Sequence, residues 1–360
     1  METTRYRLKD ILKIKNGRDH SQLEDGQYPV IGSGGVMRYA NQYLYNGESV
    51  LLPRKGTLDN IQYINGPFWT VDTCYYTEID TKIVNPYYLY RHLRSLDLSG
   101  LDSGASIPSM TSKCYYGIKI DLPNLDTQKH IAEILSAYDD LIENNNRRIA
   151  LLEKAAQELY KDWFVRFRFP GHETAKFENG LPEGWQVRRV GDISKIGSGG
   201  DAPKDYSPVR TPEYSVPIFS NGITNDGLYG FAKKGTKKAK SITISARGTV
   251  GFTCLRFEPY LPIVRLLSIE PDNKDIDVYY LHYNLRNDII DGYGTSQQQI
   301  TIPFFSKKKI IVPPMALQNQ YAAIVEEIYN QINKLKDMNN NLVKQRDLLL
   351  PRLMSGKLEV

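Results

Sequence analysis

The chain has 360 residues, 24% of them charged, and a formal net charge of +5. That length supplies two or three domains with a core in each, and the mild basic excess favours an anionic partner without requiring one. The N-terminus METTRYRLKD has no apolar stretch and no apolar run approaches roughly 18 residues, so neither a signal peptide nor a membrane span is expected. The three cysteines, Cys74, Cys114 and Cys254, are scattered without a CxxC pair and fit reduced thiols of a cytoplasmic protein. Tyrosine is frequent, at 25 residues, which suits either a recognition surface or an aromatic-rich β core.

In chain order, residues 1–125 are mostly β. ESVLLPR, FWTVDTCYYTEI and GIKIDLP are strand-like runs separated by turn residues, and NPYYLYRHLRSL predicts a short helix. Residues 126–169 then carry a heptad stripe: Ile131, Leu135, Tyr138, Ile142, Asn145, Ile149, Leu152, Ala156, Leu159 and Trp163 step by four and three without a slip. About 38 helical residues would span roughly 57 Å. Asp126 is the expected N-cap, and Asp139-Asp140 fall on the outer face, where solvated charge is the default. Residues 170–184, rich in Gly, Pro and charge, read as a linker.

A second mostly-β stretch, 185–315, holds KSITISA, YLPIVRLLSIEP and KKIIVPP, with a short helix over DVYYLHYNLRNDI and Pro313-Pro314 stopping the last strand. A second long helix fills 316–360, with Ile328, Ile332, Leu335, Leu342 and Leu349 on its seam and the chain leaving it at Ser355-Gly356. Asn339 and Arg346 also fall on that seam, and one polar seam residue per helix can fix register at some cost in stability.

The two halves repeat with a period of about 190 residues. LKDILKIKNGRD matches VGDISKIGSGGD, YPVIGSGG resembles SVPIFSNG, and ESVLLPRKGT resembles KSITISARGT. GASIPSMT lies opposite GTSQQQIT, and GIKIDLPNLDTQ opposite KKKIIVPPMALQ. The expected fold class is therefore α+β: two mostly-β domains, each followed by a long α-helix, the helices pairing as an antiparallel coiled coil in a pseudo-twofold repeat.

No catalytic constellation is visible. The histidines 20, 92, 130, 172 and 282 are dispersed, and there is no HExxH, no Cys/His metal spacing and no P-loop. Asn85-Pro86-Tyr87 lacks a proline of the adenine-methyltransferase motif and reads as a helix start. What remains are paired polar and basic loops. Arg54, Lys55 and Thr57 stand opposite Arg247 and Thr249, residues that reach phosphates or guanine edges. Ser106, Ser109, Thr111 and Lys113 stand opposite Gln297, Gln298, Gln299 and Thr301, and glutamine can bond adenine N6 and N7 together. Ser33, Gly34 and Asn221 complete the candidate DNA-binding set.

LYKDWFVRFRFPG, LPEGWQVRRVGDI and RDLLLPRLMSGKLEV resemble the specificity subunit of type I restriction-modification systems, as does a proline, a short spacer and then glutamine at each helix start, Pro123 to Gln128 and Pro313 to Gln318. The likeness spans essentially the whole chain. It departs at Thr127 and Leu317, where the family usually has an acidic or polar residue before the glutamine, and in its short length. The resemblance implies two target-recognition domains reading the halves of a bipartite double-stranded DNA site, with the helices setting the spacer. It further implies docking by two methyltransferase (modification) subunits with S-adenosylmethionine, and by two motor-nuclease (restriction) subunits with ATP and Mg. This chain itself would bind no cofactor and do no chemistry. Alternatives are the recognition subunit of a type II-like enzyme cutting on both sides of its site, a single-chain methyltransferase or nuclease, and a coiled-coil scaffold without DNA binding.

Overall fold

The structure, a computed structural model, describes residues 2–56, 58–98, 109–287 and 299–358. The chain divides into two compact units, Met1–Asn146 with Lys336–Val360, and Arg147–Leu335. Each unit takes a β domain and a segment of each long helix.

The first unit runs β1 (Thr4–Arg7), α1 (Leu8–Ile11), β2 (Leu12–Asn16), β3 (Asp25–Gly32), β4 (Gly35–Ala40), β5 (Tyr45–Pro53), β6 (Gln62–Thr70), β7 (Cys74–Ile79), α2 (Pro86–Ser95), α3 (Ser112–Gly117), β8 (Lys119–Leu122) and α4 (Leu125–Tyr160), whose later residues belong to the second unit. Six strands form one sheet in the order β2-β7-β5-β6-β3-β4, antiparallel except where β3 meets β6. β1 pairs separately with β8. The run Val50, Leu51 and Leu52 is fully buried because both faces of β5 are covered, so it shows no alternation. Its buried hydroxyls are mutually satisfied: Ser49 Oγ donates to Thr77 O at 2.8 Å and Thr77 Oγ1 to Val50 O at 2.9 Å.

The second unit begins within α4, which passes into a π turn at Lys161–Val165. The regular helix ends at Tyr160, short of 169, because Trp163 and Phe164 are drawn into an aromatic core with Tyr160, Tyr280 and Tyr321, and Phe167 turns the chain at φ 57°. Segment 170–184 is folded. It holds β9 (Phe177–Glu178) and β10 (Leu181–Pro182), joined through Asn179 and Gly180, both at positive φ as an Asn-Gly hairpin turn requires. Phe169 and Trp185 on either side are buried in the unit's core.

The chain continues through β11 (Gln186–Arg189), α5 (Val190–Ile193), β12 (Ser194–Ser198), β13 (Val216–Phe219), β14 (Leu228–Ala232), β15 (Ser241–Ile244), β16 (Thr253–Arg256), β17 (Leu261–Pro262), β18 (Leu267–Pro271), α6 (Val278–Asn287), α7 (Ile302–Ser306), β19 (Lys309–Val312) and α8 (Met315–Met354). The sheet orders are β12-β18-β15-β16 and β14-β13-β17. These reproduce the first unit's order with β6 split into β16 and β17, where Pro259 has no N–H to give a ladder. β11 pairs with β19 as β1 does with β8. The internal repeat is thus a repeat of topology.

Both helix starts use the same bracket. Gln128 is buried; its Nε2 donates to Pro123 O at 2.9 Å and Ile83 O at 3.1 Å, and its Oε1 accepts from Asn85 N–H at 2.9 Å. Gln318, also buried, donates to Pro313 O at 2.7 Å and accepts from Asp277 N–H at 2.8 Å. The proline-to-glutamine spacing is the span of this bracket, which ties helix to domain. The cap of α4 is Asn124 rather than the expected Asp126: Asn124 Oδ1 accepts from Thr127 N–H at 2.9 Å.

Every seam residue expected from the heptads is buried or half-buried. In the first unit Ile131 and Leu135 pack with Leu349, Leu350 and Leu353, and Asn145 bonds Asn339, so the segments of α4 and α8 run antiparallel. In the second, Tyr321 donates its hydroxyl to Ala156 O at 3.2 Å, and Ile149 and Leu152 join the core of Ile328 and Ile332. Asp139 is not a solvated outer charge. It accepts from Tyr87 and from Arg91, a guanidinium only 3% exposed, and from Arg346 at 2.6 Å. The seam arginine and the β-domain arginine need a shared counter-ion, and Asp139 supplies it.

Candidate nucleic-acid interface

Thr57, Ser106, Gln297 and Gln298 of the expected set lie outside the described residues. The others gather in one loop cluster per unit. In the first, β5 ends at Pro53, whose carbonyl accepts from the buried Tyr115 hydroxyl at 2.7 Å. The next two N–H groups, of Arg54 and Lys55, donate to Thr73 O at 2.8 and 3.3 Å, and Gly56 turns the chain at φ 86°. Met110 N–H donates to Arg54 O at 3.0 Å, and Lys55 bridges Ser109. The two expected loops therefore form one surface.

The β3–β4 hairpin joins it. Ser33 N–H donates to Thr73 Oγ1 at 3.4 Å, and Asn60 Nδ2 donates to Ser33 O at 2.7 Å. Gly34, Lys55, Thr111 and Lys113 are exposed. The Thr111 hydroxyl is engaged as the cap of α3, accepting from Cys114 N–H at 3.3 Å. The Arg54 guanidinium lies 5.9 Å from the Tyr75 ring centre.

The second unit repeats the junction with other side chains. Ile300 N–H donates to Ala246 O at 3.2 Å, as Met110 does to Arg54. Arg247 Nη2 donates to Gln299 Oε1 at 3.0 Å, so the arginine and the glutamine loop are brought together. Thr249 and Thr301 are exposed, and Thr301 starts α7 without spending its hydroxyl on the cap. Asn221 has a supporting place: its Oδ1 accepts from Ala246 N–H at 2.8 Å and its Nδ2 donates to Val264 O, so it holds the arginine loop.

Residues absent from the expected set complete this cluster. Val264 and Arg265 are exposed and both at positive φ, 52° and 62°. A β-branched residue there is strained, and strain of this kind concentrates at functional sites. They occupy the turn taken by Asp72 and Thr73 in the first unit, a correspondence readable from FWTVDTC against YLPIVRL. Among the described residues no carboxylate pairs with Arg54, Lys55, Arg247 or Arg265.

Two buried titratable groups outside the loop clusters are held neutral. Burial pushes the Cys74 thiol up to about 12, which makes it inert, and holds His282, fully enclosed, down at about 3. Among the described residues no group of three or more His, Cys, Asp or Glu is placed to hold a metal ion, and no helix is long and apolar enough to cross a membrane.

The sequence matches the family described as type I restriction modification DNA specificity domain over residues 2–154 and again over 182–345. The chain belongs to that family. Each match covers a β domain and much of the helix that follows it, so the family unit is the repeat itself. A putative type I specificity subunit, S.MpnORF507P of Mycoplasma pneumoniae, is 27% identical over 339 residues, covering 91% of this chain and 90% of the relative. The MjaIX type I restriction enzyme specificity subunit of Methanocaldococcus jannaschii is 28% identical over 296 residues, covering 76% and 68%. A crystal structure of a type I restriction-modification S subunit from M. genitalium shares the fold, with a TM-score of 0.60 at 16% identity over 98% of this chain and 96% of that one.

Proposed function

We propose that this chain is the DNA sequence-specificity subunit of a type I restriction-modification complex. Target-recognition domains at about residues 1–125 and 185–315 read the two halves of a bipartite site, and the two long helices set the unread spacer. The observation that carries this reading is the duplicated loop cluster: one backbone junction, occurring twice, presents Arg54, Lys55, Ser109 and Lys113 in one unit and Arg247, Arg265, Gln299 and Thr301 in the other. A constant scaffold with different hydrogen-bonding groups is what two different half-sites demand.

The chemistry belongs to partners in this proposal. Methyltransferase subunits carrying S-adenosylmethionine would dock mainly on the helices, motor-nuclease subunits using ATP and Mg would join them, and this chain would supply sequence selection alone, in the cytoplasm. The test is the adenine methylome of a host carrying the modification partner with and without this chain. A split motif methylated only in its presence supports the proposal; an unchanged methylome overturns it.

A further inference from the structure

The β3–β4 hairpin beside the first basic loop carries a β-bulge. Val30 pairs with Arg38 and Ile31 with Val36, so Met37 is the extra residue. Without the bulge, Val36 and Met37 would face opposite sides of the sheet; with it both are exposed, at 55% and 59%. The hairpin of the second unit has its bulge at the same place. Ile218 pairs with Gly230 and Phe219 with Leu228, so Tyr229 is extra, and Leu228 and Tyr229 are exposed at 38% and 44%. Two hairpins that differ in sequence and in tip length thus keep one device, and each uses it to hold large apolar side chains out in water.

The bulge lies beside the cations. A Cβ added to Gly32 would sit 2.9 Å from Met37 Sδ and 3.4 Å from Thr73 Oγ1, so Met37 and Thr73, whose carbonyl holds Arg54 and Lys55, both flank Gly32. Gln62 Nε2 donates to Gly32 O at 3.0 Å, and a Cβ on Gly56 would sit 3.3 Å from Ser33 Oγ, which fixes the hairpin tip against the basic loop. In the second unit Asn221 ties the hairpin to Ala246, and the buried Arg256 donates to Asp226 O at 2.8 Å from a position 3.5 Å above the Phe219 ring.

Exposed aliphatic groups beside unpaired cations fit one feature of the DNA major groove, the C5-methyl of thymine, the apolar group that a base pair presents there. We propose that Val36 and Met37 are specificity-determining residues that contact a thymine methyl in the half-site read by the first unit. Leu228 and Tyr229 hold the equivalent place in the second, where Tyr229 is braced by the Tyr206 ring at 5.1 Å. The inference rests on the DNA-specificity reading above and extends it to named residues and a named group.

The test uses the assembled complex of this chain with its modification subunits and duplexes carrying its bipartite site, in which each thymine of that half-site is replaced in turn by deoxyuridine, removing one methyl. The expected result is that one replacement weakens binding about fourfold, the worth of one buried methyl group, and that a Val36→Ser, Met37→Ala complex binds methylated and demethylated duplexes equally. Equal binding by the wild-type complex at every thymine would overturn the proposal, including the case in which the modification subunit covers the hairpin. So would a double variant that keeps the wild-type sensitivity. The deoxyuridine scan needs no variant, so a folding defect cannot hide the answer. A complex with no preference for any split site would instead defeat the underlying reading.

Discussion

Asn145 and Asn339 hydrogen bond across the helical seam of the first unit, Asn145 Nδ2 donating to Asn339 Oδ1 at 2.9 Å, while Asn339 Nδ2 donates to Asn146 Oδ1 at 2.9 Å. Asn145 is 4% exposed, so its amide depends on this partner. Asn339→Leu leaves that amide buried and unpaired and should lower the unfolding free energy by about 1–3 kcal/mol. Replacing both residues by leucine should recover most of the loss, since two packed apolar groups leave no orphan. Urea denaturation of the two single variants and the double variant measures both, and equal losses in the double and single variants would contradict this role.

Asp139 is the shared counter-ion of Arg91 and Arg346. Asp139→Ala strands a guanidinium that is 3% exposed and should cost about 2–3 kcal/mol, below the roughly 3–5 kcal/mol of a fully buried pair because Asp139 is itself partly exposed. The matched change Asp139→Leu with Arg91→Met should cost less than Asp139→Ala alone. Urea midpoints of these variants measure the difference.

His282 gives the second unit a pH dependence. Burial lowers its folded pKa to about 3, below the ordinary value of 6.5, and neither ring nitrogen has a partner among the described residues. Below 6.5 the unfolded chain binds a proton there that the folded chain refuses. Its contribution is therefore whole above pH 6.5 and is lost progressively as pH falls towards 3. His92, also lowered by burial, acts in the same direction in the first unit. The unfolding free energy should drop between pH 7 and 4, and the drop should be smaller in His282→Leu. Denaturation at a series of pH values checks this, and identical slopes would remove His282 from the account.

If the helices set the spacer, four residues inserted into α4 lengthen it by about 6 Å and should change the spacer of the methylated motif while leaving both half-sites as they were. Sequencing the methylome of the insertion variant reads this, and retention of the original spacer would refute the ruler.

Much of this was legible in the sequence because it is local or periodic. The heptads mark their own buried face, and the repeat locates paired loops without any contact being known. The proline-to-glutamine spacing was visible as a pattern, yet its bracket was not, since Gln128 reaches Ile83, 45 residues back. Asp139 was misplaced for the same reason: Arg91 and Arg346 lie 48 and 207 residues away, and on a helical wheel an aspartate beside another aspartate looks like solvated charge. The bracing bonds of Asn221 to Ala246 and Val264 were equally hidden, because they join loops 25 and 43 residues apart. The bulges at Met37 and Tyr229 left no signal, because a bulge is a property of two strands and each strand alone gives no register.

If each unit reads one half of a split site, competition binding by the assembled complex separates the two halves. Duplexes altered in one half at a time would compete against the intact site, using wild type, an Arg54→Ala, Lys55→Ala variant and an Arg247→Ala, Gln299→Ala variant. The first variant should lose discrimination in one half only and the second in the other half only. Loss of the same half by both variants, or undiminished discrimination in both, would contradict it.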